Sequence, residues 1–424
     1  MPTRVIFFLL SALGLSLLLD FYAYQVVRAA VRDASPAVQR IAAILFWSLP
    51  VLAIVSLGLT IRWAQDPAYG ATRAWASGFF MAHFVFVIIL ALFATADDVR
   101  RVLFAALRFI GVRTHTEGLA GLPMSRSAFL SQAALLAAAV PGIGMVYGVA
   151  RGGHRYQVVR RKVYLPHLPP AFEGYKIVQI SDVHSGSFFS RSGVQKGIDL
   201  INAQGADLVV FTGDLVNNVA TEIEPWIDQF KQLRGKDGVF SILGNHDYGD
   251  YVQWGSAQAK AQNLRRLMDN HTRLGWRLLL DEHQMLERNG QQIALLGIQN
   301  WGARARFPKY GNLAKAYAGA EAAPVKILLS HDPSHWRAQV RPDFPDIDLT
   351  LSGHTHGMQF GIDSSVFKWS PVQYVYPEWA DLYEEAGKYL YVNRGFGFIG
   401  YPGRFGIWPE VTVLELTAQP QAQA

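Results

Sequence analysis

The sequence predicts an all-α membrane region followed by a layered α/β domain. The first 150 residues contain four long apolar stretches, whereas after residue 151 short strand-like runs alternate with helix-like segments. At 424 residues the chain is long for one domain, so two units are expected. It is also 50% hydrophobic and only 17% charged, which is typical of a chain with membrane segments.

The four apolar stretches predict four membrane-spanning helices within residues 1–150. Each stretch is close to the roughly 20 residues that cross a bilayer. Buried helices of a soluble domain would show a polar face, and a cleavable signal peptide would need only one such stretch. Asp20 is the one charged side chain of the first span, and His83 lies in the third, where we expect it to make a packing hydrogen bond. The stretches cover residues 5–27, 41–61, 75–94 and 129–150.

The segment 98–113 allows two interpretations. Its arginines are spaced among Leu, Phe and Ile, so it is either an amphipathic helix in the membrane interface or an extension of the third span. Basic residues are also distributed equally between the two sides of a four-span arrangement. The positive-inside rule therefore leaves open on which side of the membrane the α/β domain lies.

The rest of the chain predicts one α/β domain. We expect a linker and entry strand in residues 151–175, the domain in 176–416 and a disordered, low-complexity tail in 417–424. Helical spacing alternating with strands favours two packed sheets with helices outside, a four-layer α/β/β/α arrangement. The helical segments are residues 191–203, 221–233 and 258–274.

Five short apolar runs of this domain end at residue types that bind metals. The carboxyl ends of strands in a mostly parallel sheet lie at one edge, so five such ends can converge on one crevice. Caps and turns would explain one such motif, but not five in series. The sequence therefore predicts a metal site made of seven ligands: Asp182, His184, Asp214, Asn245, His331, His354 and His356.

The ligand types indicate two ions of intermediate hardness. Carboxylate, amide and imidazole ligands suit Mn, Fe or Zn better than calcium or copper. Seven ligands are too many for one tetrahedral ion, and Asp214, with two carboxylate oxygens, is the natural bridge between two. Two divalent ions about 3.5–4 Å apart can activate a water and hold the oxygens of a phosphate. The chain has no cysteine, which excludes disulfides, thiolate metal sites and cysteine nucleophiles but leaves the compartment open.

The neighbours of Asn245 are candidate catalytic residues. His246 should point past the metals, so we assign it to stabilising the transition state and protonating the leaving group. Asp247 is expected to orient His246, because a carboxylate commonly fixes an imidazole. Arg394 and Arg404 are candidates for binding substrate phosphate, and loop-stabilising hydrogen bonds are their alternative role.

The five segments, in this order, resemble the calcineurin-like metallophosphoesterase family over residues 176–416. The resemblance implies the α/β/β/α sandwich of that family, two divalent metal ions and catalysis by His246. It implies that one ion is held by Asp182, His184, Asp214 and His356, and the other by Asp214, Asn245, His331 and His354. Each of these positions carries the residue that the family pattern requires.

Two late motifs resemble a bacterial, membrane-attached branch of the family. They are Gly-His-Thr-His-Gly-Met-Gln at residues 353–359 and Arg-Gly-Phe-Gly at 394–397, the latter followed by Pro409-Glu410. Met358 occupies a position where the branch usually has glycine. A residue with a side chain has fewer allowed φ and ψ values, so the backbone beside the site is more restricted. Some relatives cleave the pyrophosphate of UDP-2,3-diacylglucosamine and others are phosphodiesterases, so the substrate does not carry over. The resemblance implies a multi-pass protein of the bacterial cytoplasmic (inner) membrane.

We therefore expect a membrane-anchored, dinuclear metal-dependent phosphoric ester hydrolase. Its expected partners are membrane lipids and a phosphodiester, pyrophosphate or phosphomonoester substrate, either lipid-linked or nucleotide-linked. No nucleic acid is expected, because the domain lacks a concentrated basic stripe. The alternative is a non-catalytic metal-binding scaffold or regulatory domain, which the loss of a ligand or of His246 would indicate. A regulated channel would need paired charges within the spans.

An aromatic-rich insertion occupies residues 367–383. It is a lid for a lipid-like substrate, an anchor at the bilayer interface, or ordinary packing over the sheet. Its aromatic residues include Trp369, Tyr374, Tyr376, Trp379 and Tyr383.

Overall fold

The structure is a computed structural model that describes residues 3–63, 69–110, 126–304, 307–364 and 366–419. The side chains of residues 3–10, 12 and 126–128 are outside the described set. The chain divides into two compact units, Met1–Val149 and Ala150–Ala424. Most of the tail expected to be disordered, residues 420–424, lies outside the described residues.

The N-terminal unit consists of long helices. In the described part of the chain, three helical segments are long and apolar enough to cross a membrane: Pro36–Arg62, Gly70–Phe109 and Phe129–Ala150. The first predicted span falls on a helix whose early side chains are not described, so it stays a prediction. The helices are α1 (Thr3–Ala30), α2 (Pro36–Arg62), α3 (Gly70–Phe109) and α4 (Arg126–Ala150).

Helix α3 continues without a break from the apolar span into the basic segment that follows it. Arg100 and Arg101 both pair with Asp97, three and four residues earlier, at 2.7 Å. Such pairs stabilise a continuous helix. Up to Phe109 the segment is therefore an extension of the third helix, and residues 111–113 lie outside the described part of the chain.

Asp20 of α1 and His83 of α3 form a buried pair inside the helical unit. The carboxylate Oδ1 lies 3.1 Å from the imidazole Nε2, and the residues are only 1% and 8% exposed. The expected packing role of His83 thus takes the form of a close polar contact with Asp20. Because polar groups are costly among apolar helices, this pair favours one relative rotation of α1 and α3.

The C-terminal unit is an α/β domain. Its described residues form five α-helices and fourteen strands. The helices are α5 (Arg191–Asn202), α6 (Ile227–Phe230), α7 (Ala257–Arg273), α8 (Leu313–Tyr317) and α9 (Arg341–Asp343). The strands are β1 (Gln157–Tyr164), β2 (Lys176–Ile180), β3 (Leu208–Phe211), β4 (Val239–Ser241), β5 (Arg277–Leu278), β6 (Glu282–Arg288), β7 (Gln291–Gly297), β8 (Lys326–Leu329), β9 (Leu349–Ser352), β10 (Ile362–Asp363), β11 (Lys368–Trp369), β12 (Asp381–Glu385), β13 (Lys388–Val392) and β14 (Glu410–Thr417).

The strands form two six-stranded sheets and one small hairpin. The first sheet has the order β1-β14-β2-β3-β4-β5, in which β2 to β5 are parallel and β14 runs antiparallel to β2. The second has the order β12-β13-β9-β8-β7-β6, in which β13, β9, β8 and β7 are parallel. Strands β10 and β11 pair only with each other among the described residues. Strand β14 includes Thr417, so the predicted start of the tail at this residue is wrong.

Alternating side chains on the strands produce the four layers. Ile177 of β2 and Leu295 of β7 belong to one apolar cluster between the two sheets. Their chain neighbours Val178 and Leu296 point to the outer faces, where separate clusters pack under the helices. Each such aliphatic side chain contributes about 1.5–3 kcal/mol when fully buried. The observed fold is the predicted one: a helical region followed along the chain by an α/β/β/α sandwich.

The predicted helices at 191–203 and 258–274 correspond to α5 and α7. The segment predicted as a helix at 221–233 instead forms a 3₁₀ helix, Ala220–Trp226, that leads into the short α6. Pro225 lies within this segment and has no backbone N–H to continue an α-helical ladder.

We predict measurable coupling between Asp20 and His83. In a double-mutant cycle of Asp20→Ala and His83→Ala, the interaction should be about 0.6–1.7 kcal/mol, the range for polar contacts between membrane helices. Unfolding of the full-length protein in mixed micelles would measure it. A second cycle of Asp20→Ala with Ser77→Ala is the control and should show no coupling. The Ser77 hydroxyl donates to Arg73 O within its own helix. Zero coupling in the first cycle would contradict a packing role.

Candidate metal centre

The seven predicted ligands follow strands of both sheets. Strands β2, β3 and β4 of the first sheet lead into the segments of Asp182, Asp214 and Asn245, and β8 and β9 of the second lead into His331 and His354. The loops meet closely: a Cβ on Gly353 would lie 1.9 Å from Ser181 Oγ. Only glycine therefore lets the loop after β9 approach the loop after β2. A cavity of about 390 Å³ opens at this point, lined by His184, Asp214, Asn245, His246, Tyr251, Phe307, His354, His356 and Ile399.

The ligand atoms form two groups. In each group the atoms that could bind an ion lie within 4.8 Å of one another. Asn245, whose amide oxygen is a further possible ligand, places Oδ1 3.1 Å from His331 Nε2 and 2.8 Å from His354 Nδ1. It therefore belongs with the second group. The groups are Asp182, His184 and His356, and Asp214, His331 and His354.

Asp214 lies between the two groups. Its Oδ2 is 3.1 Å from His331 Nε2 in one group and 3.6 Å from His184 Nε2 in the other. Its Oδ1 accepts the backbone N–H of His246 at 2.8 Å, which fixes the carboxylate in place. This position is the one that a bridging ligand would need.

Five of the ligands adopt a backbone conformation that non-glycine residues avoid. Their φ values lie between 46° and 72°, in the left-handed region. Such conformations cost on the order of 1–3 kcal/mol each and cluster at functional sites, where the surrounding structure enforces them. The five are Asp182, His184, Asp214, His354 and His356. Met358, where the related branch has glycine, is also left-handed, with φ 54°.

The buried polar atoms of the first group fit a cation. Both ring nitrogens of His184, and Nε2 of His356, have no hydrogen-bond partner among the described residues. Asp182 lies beside them, with Oδ1 3.2 Å from His356 Nε2, and is fully buried. Buried polar groups normally have partners, and a metal ion would satisfy these atoms. Imidazole and carboxylate donors without thiolate suit Mn, Fe or Zn.

Protonation states in the site also suit metal binding. Burial lowers the pKa values of His184, His354 and His356, so these rings are neutral. Burial acts in the same direction on His331, but the charge and hydrogen bond of Asp214 outweigh it and raise its pKa to about 10. Neutral imidazoles are the form that coordinates metals, so His331 must release a proton to do so.

Hydrogen bonds outside the ligand set orient two of the rings. His331 Nδ1 lies 2.7 Å from Thr212 O, which leaves Nε2 directed at Asp214. The Tyr376 hydroxyl donates to Asp332 at 3.3 Å and lies 2.9 Å from His354 Nε2, so it can accept the proton on that nitrogen. Nδ1 of His354 is then free for a metal. No sequence pattern predicts this use of Tyr376, beyond its place in the aromatic insertion.

The prediction that Asp247 orients His246 is wrong. The Asp247 carboxylate is fully buried, and its oxygens accept backbone N–H groups of Gly244, Asp214, Leu215 and Val216 at 2.8–3.3 Å. It therefore fastens the loop after β3 to the loop after β4. His246 Nδ1 instead lies 2.7 Å from the carbonyl of Asn217. The carboxylate is turned inward because it satisfies four backbone donors.

Arg394 does not face the cavity. It is 1% exposed, pairs with Glu410, and places Nε 2.8 Å from Asp363 Oδ2. Asp381, 3.6 Å from its Nη2, is also bound by Arg161. The geometry thus favours the loop-stabilising role over substrate binding.

Arg404 is also fully buried, but it reaches a ligand. Its Nε and Nη2 donate to Gly397 O, and Nη2 lies 3.1 Å from His356 Nδ1. The guanidinium therefore holds the His356 ring from the side opposite Asp182. This position excludes direct phosphate contact and makes Arg404 a support for the ligand.

Comparisons with known proteins agree with these features. Residues 3–153 match the family described as "Probable Calcineurin-like phosphoesterase, transmembrane domain", and residues 175–358 match "Calcineurin-like phosphoesterase". The three candidate spans together with the first match indicate a membrane protein.

Two named relatives are similar over about two thirds of the chain. A Bacillus subtilis (strain 168) protein named "Uncharacterized metallophosphoesterase YkuE" is 33% identical over 301 residues, which cover 69% of this chain and 98% of that protein. A Danio rerio "Transmembrane protein with metallophosphoesterase domain" is 29% identical over 288 residues, 66% of this chain but only 62% of the relative. The chain therefore spans less than two thirds of that relative.

Among solved structures, a sulfate thiohydrolase SoxB from Thermus thermophilus aligns with 12% identity and a TM-score of 0.34, over 59% of this chain and 58% of that one. This likeness is too low to carry an argument about the site.

We predict that Arg394→Ala destabilises the protein by about 3–5 kcal/mol, because it leaves the fully buried carboxylate of Glu410 without its cationic partner. Thermal unfolding would measure this loss. Arg266→Ala, which removes a half-exposed pair with Glu224, is the control and should cost no more than about 1 kcal/mol. A stable Arg394→Ala protein with a raised KM for a phosphodiester would instead support substrate binding.

Proposed function

This chain belongs to the calcineurin-like metallophosphoesterase family, and we propose from that premise that it is a multi-pass membrane enzyme that hydrolyses a phosphodiester at a two-metal centre. The observation that carries the proposal is the position of the Asp214 carboxylate between two groups of ligand atoms, 3.1 Å and 3.6 Å from one imidazole of each. A structural cluster of caps would not need two such groups joined by one carboxylate.

In the proposed enzyme one ion is held by the first group with Asp214, and the other by the second group with Asn245. When bound, the two ions supply positive charge to the phosphate oxygens and lower the pKa of an attacking water. The protein contributes buried, ionised carboxylates and pre-oriented rings. These groups are held by the left-handed loops, so little rearrangement is needed on binding.

His246 is the proposed general acid. Its Nδ1 lies 2.7 Å from Asn217 O, an acceptor, so that nitrogen carries a proton and donates it. Nε2 is then the atom that takes up a proton and delivers it to the leaving oxygen. The ring lines the cavity, and its backbone N–H binds Asp214, which fixes its distance from the metal ligands.

Tyr251 is proposed to contact the substrate phosphate. Asn245 Nδ2 donates to the Tyr251 hydroxyl at 2.9 Å, which turns the amide oxygen toward His331 and His354. Since the hydroxyl oxygen is the acceptor in that bond, its own hydrogen is available to a phosphate oxygen. The ring packs on His246 with centroids 4.5 Å apart and is 49% exposed at the cavity.

The apolar lining of the cavity supports a phosphodiester rather than a phosphomonoester, because a diester carries two esterified groups and a monoester only one. Phe307 and Ile399 provide apolar walls for the esterified groups. A lipid-linked diester in the bacterial cytoplasmic membrane is the proposed substrate class.

We predict that His246→Ala lowers kcat for an alkyl phosphodiester such as glycerophosphoethanolamine at least about 100-fold, because its alkoxide leaving group, unlike p-nitrophenolate, needs a proton. Purified full-length protein with Mn²⁺ would be assayed, together with its bound metal by mass spectrometry. His167→Ala, an exposed histidine of the same unit, is the control. Unchanged kcat in His246→Ala would refute its role. A wild-type protein with two metals and no turnover would favour the scaffold alternative.

We further predict that Tyr251→Phe lowers kcat/KM about 10- to 100-fold, the effect of losing one hydrogen bond to a charged group. The matched control is Tyr310→Phe, which removes a hydroxyl bound to Asp250 outside the cavity. The metal content of both variants should equal that of the wild type. If Tyr251→Phe keeps full activity, or loses activity only with its metal, the phosphate contact is excluded.

A further inference from the structure

Exposed apolar side chains concentrate in one segment of the α/β unit. In the described part of that unit, eight large hydrophobic residues are exposed, and six of them lie between residues 358 and 375. Such a concentration normally marks an interaction site, whereas single exposed apolar residues do not. The six are Met358, Ile362, Val366, Phe367, Tyr374 and Val375. We call this segment, with the β10–β11 pair at its centre, the apolar hairpin.

Hydrogen bonds hold the base of the hairpin in place. Ile362 pairs with Trp369, and the Ser370 hydroxyl donates to Gly357 O at 2.8 Å. Next to it, Tyr376 and Trp379 are buried and pack with Ile407. The aromatic insertion therefore has two parts. Its first part belongs to the exposed hairpin, and its second part, with Tyr376 and Trp379, is buried in the domain.

The two charged residues of the hairpin are paired with residues elsewhere in the α/β unit. Within residues 358–377 the sequence has two charged residues, Asp363 and Lys368. Lys368 Nζ lies 2.5 Å from Asp381, and Asp363 lies 2.8 Å from Arg394 Nε. Val366, 94% exposed at the tip, can therefore enter an apolar environment without bringing an unpaired charge with it.

We propose that the apolar hairpin inserts its tip into the headgroup region of the bilayer that holds the chain's own helices. The α/β unit is tethered to the membrane region, because only the six residues 151–156 separate α4 from β1. Tyr374, 76% exposed, and Trp369 are the aromatic types that favour the membrane interface.

Docking of the hairpin would bring the candidate metal centre to the lipid phosphates. Gly357, which accepts the bond from Ser370, follows His356 directly, and Tyr376 contacts His354. The hairpin and both of these ligands are thus parts of one connected structure. The substrate class is then a phosphate ester in the headgroup layer, a consequence that rests on the proposed hydrolysis. The docking itself does not rest on it.

The absence of cysteine allows a direct test. Full-length Val366→Cys and Tyr374→Cys proteins would carry a nitroxide label, in nanodiscs of phosphatidylglycerol and phosphatidylethanolamine. Collision with oxygen and with an aqueous nickel chelate measures immersion of the label. Gln258→Cys, on the exposed face of α7, is the control. We expect the labels at 366 and 374 to be at least fivefold more accessible to oxygen, relative to the chelate, than the label at 258.

Three results would overturn the docking. The labels at 366 and 374 would resemble the label at 258 if the tip faces water. Dipolar broadening between labels of two copies would assign the hairpin to self-association. Immersion that appears only with inorganic phosphate present would indicate a lid. Hydrolysis of bis-p-nitrophenyl phosphate by the same samples tests the proposed function separately, because this substrate is soluble.

Discussion

The negative charge of buried Asp214 is the constraint on which the site depends. It lies 2% exposed between imidazoles of both ligand groups, and burial without compensating charge would be strongly unfavourable. Loops from two sheets must therefore bring partners to it. Asp247 ties together the loops after β3 and β4, and the left-handed backbone of Asp182 and His354 directs ligands from the other loops. The contacts between Asp214 and the surrounding imidazoles offset the backbone strain of these loops.

The aromatic insertion connects the site with the protein's surroundings. Its buried residue Tyr376 orients His354, whereas its exposed residues form an apolar tip. One segment thus sets the direction of a ligand and carries the surface best suited to a membrane. Arg394 fastens the base of this tip to the sheets through Asp363 and Glu410, so its burial has a structural purpose. The interpretations of this insertion as a lid, as an anchor or as ordinary packing do not exclude one another, because one half is buried and the other is exposed.

The layers of the α/β unit and the residue types at the strand ends were predictable from the sequence, because they depend on local periodicity. Alternation placed Ile177 and Val178 on opposite faces, and each apolar run ended where a polar loop begins. Pro225 shows the limit: the spacing of 221–233 is helical, but one missing N–H makes the segment a 3₁₀ helix. The roles of Asp247 and Arg394 were not predictable, because their partners are distant in the chain or are backbone groups.

The sequence by itself determined the order of the two units, the strand ends and the identity of the candidate ligands, since these follow from patterns spanning a few residues. Only the tertiary structure decided that Asp247 serves the backbone, that Asn217 holds His246, and that Tyr376 reaches His354. The physical reason is that hydrogen-bonding groups choose among all the partners that packing brings near. Neighbourhood in the sequence, as for His246 and Asp247, does not decide that choice.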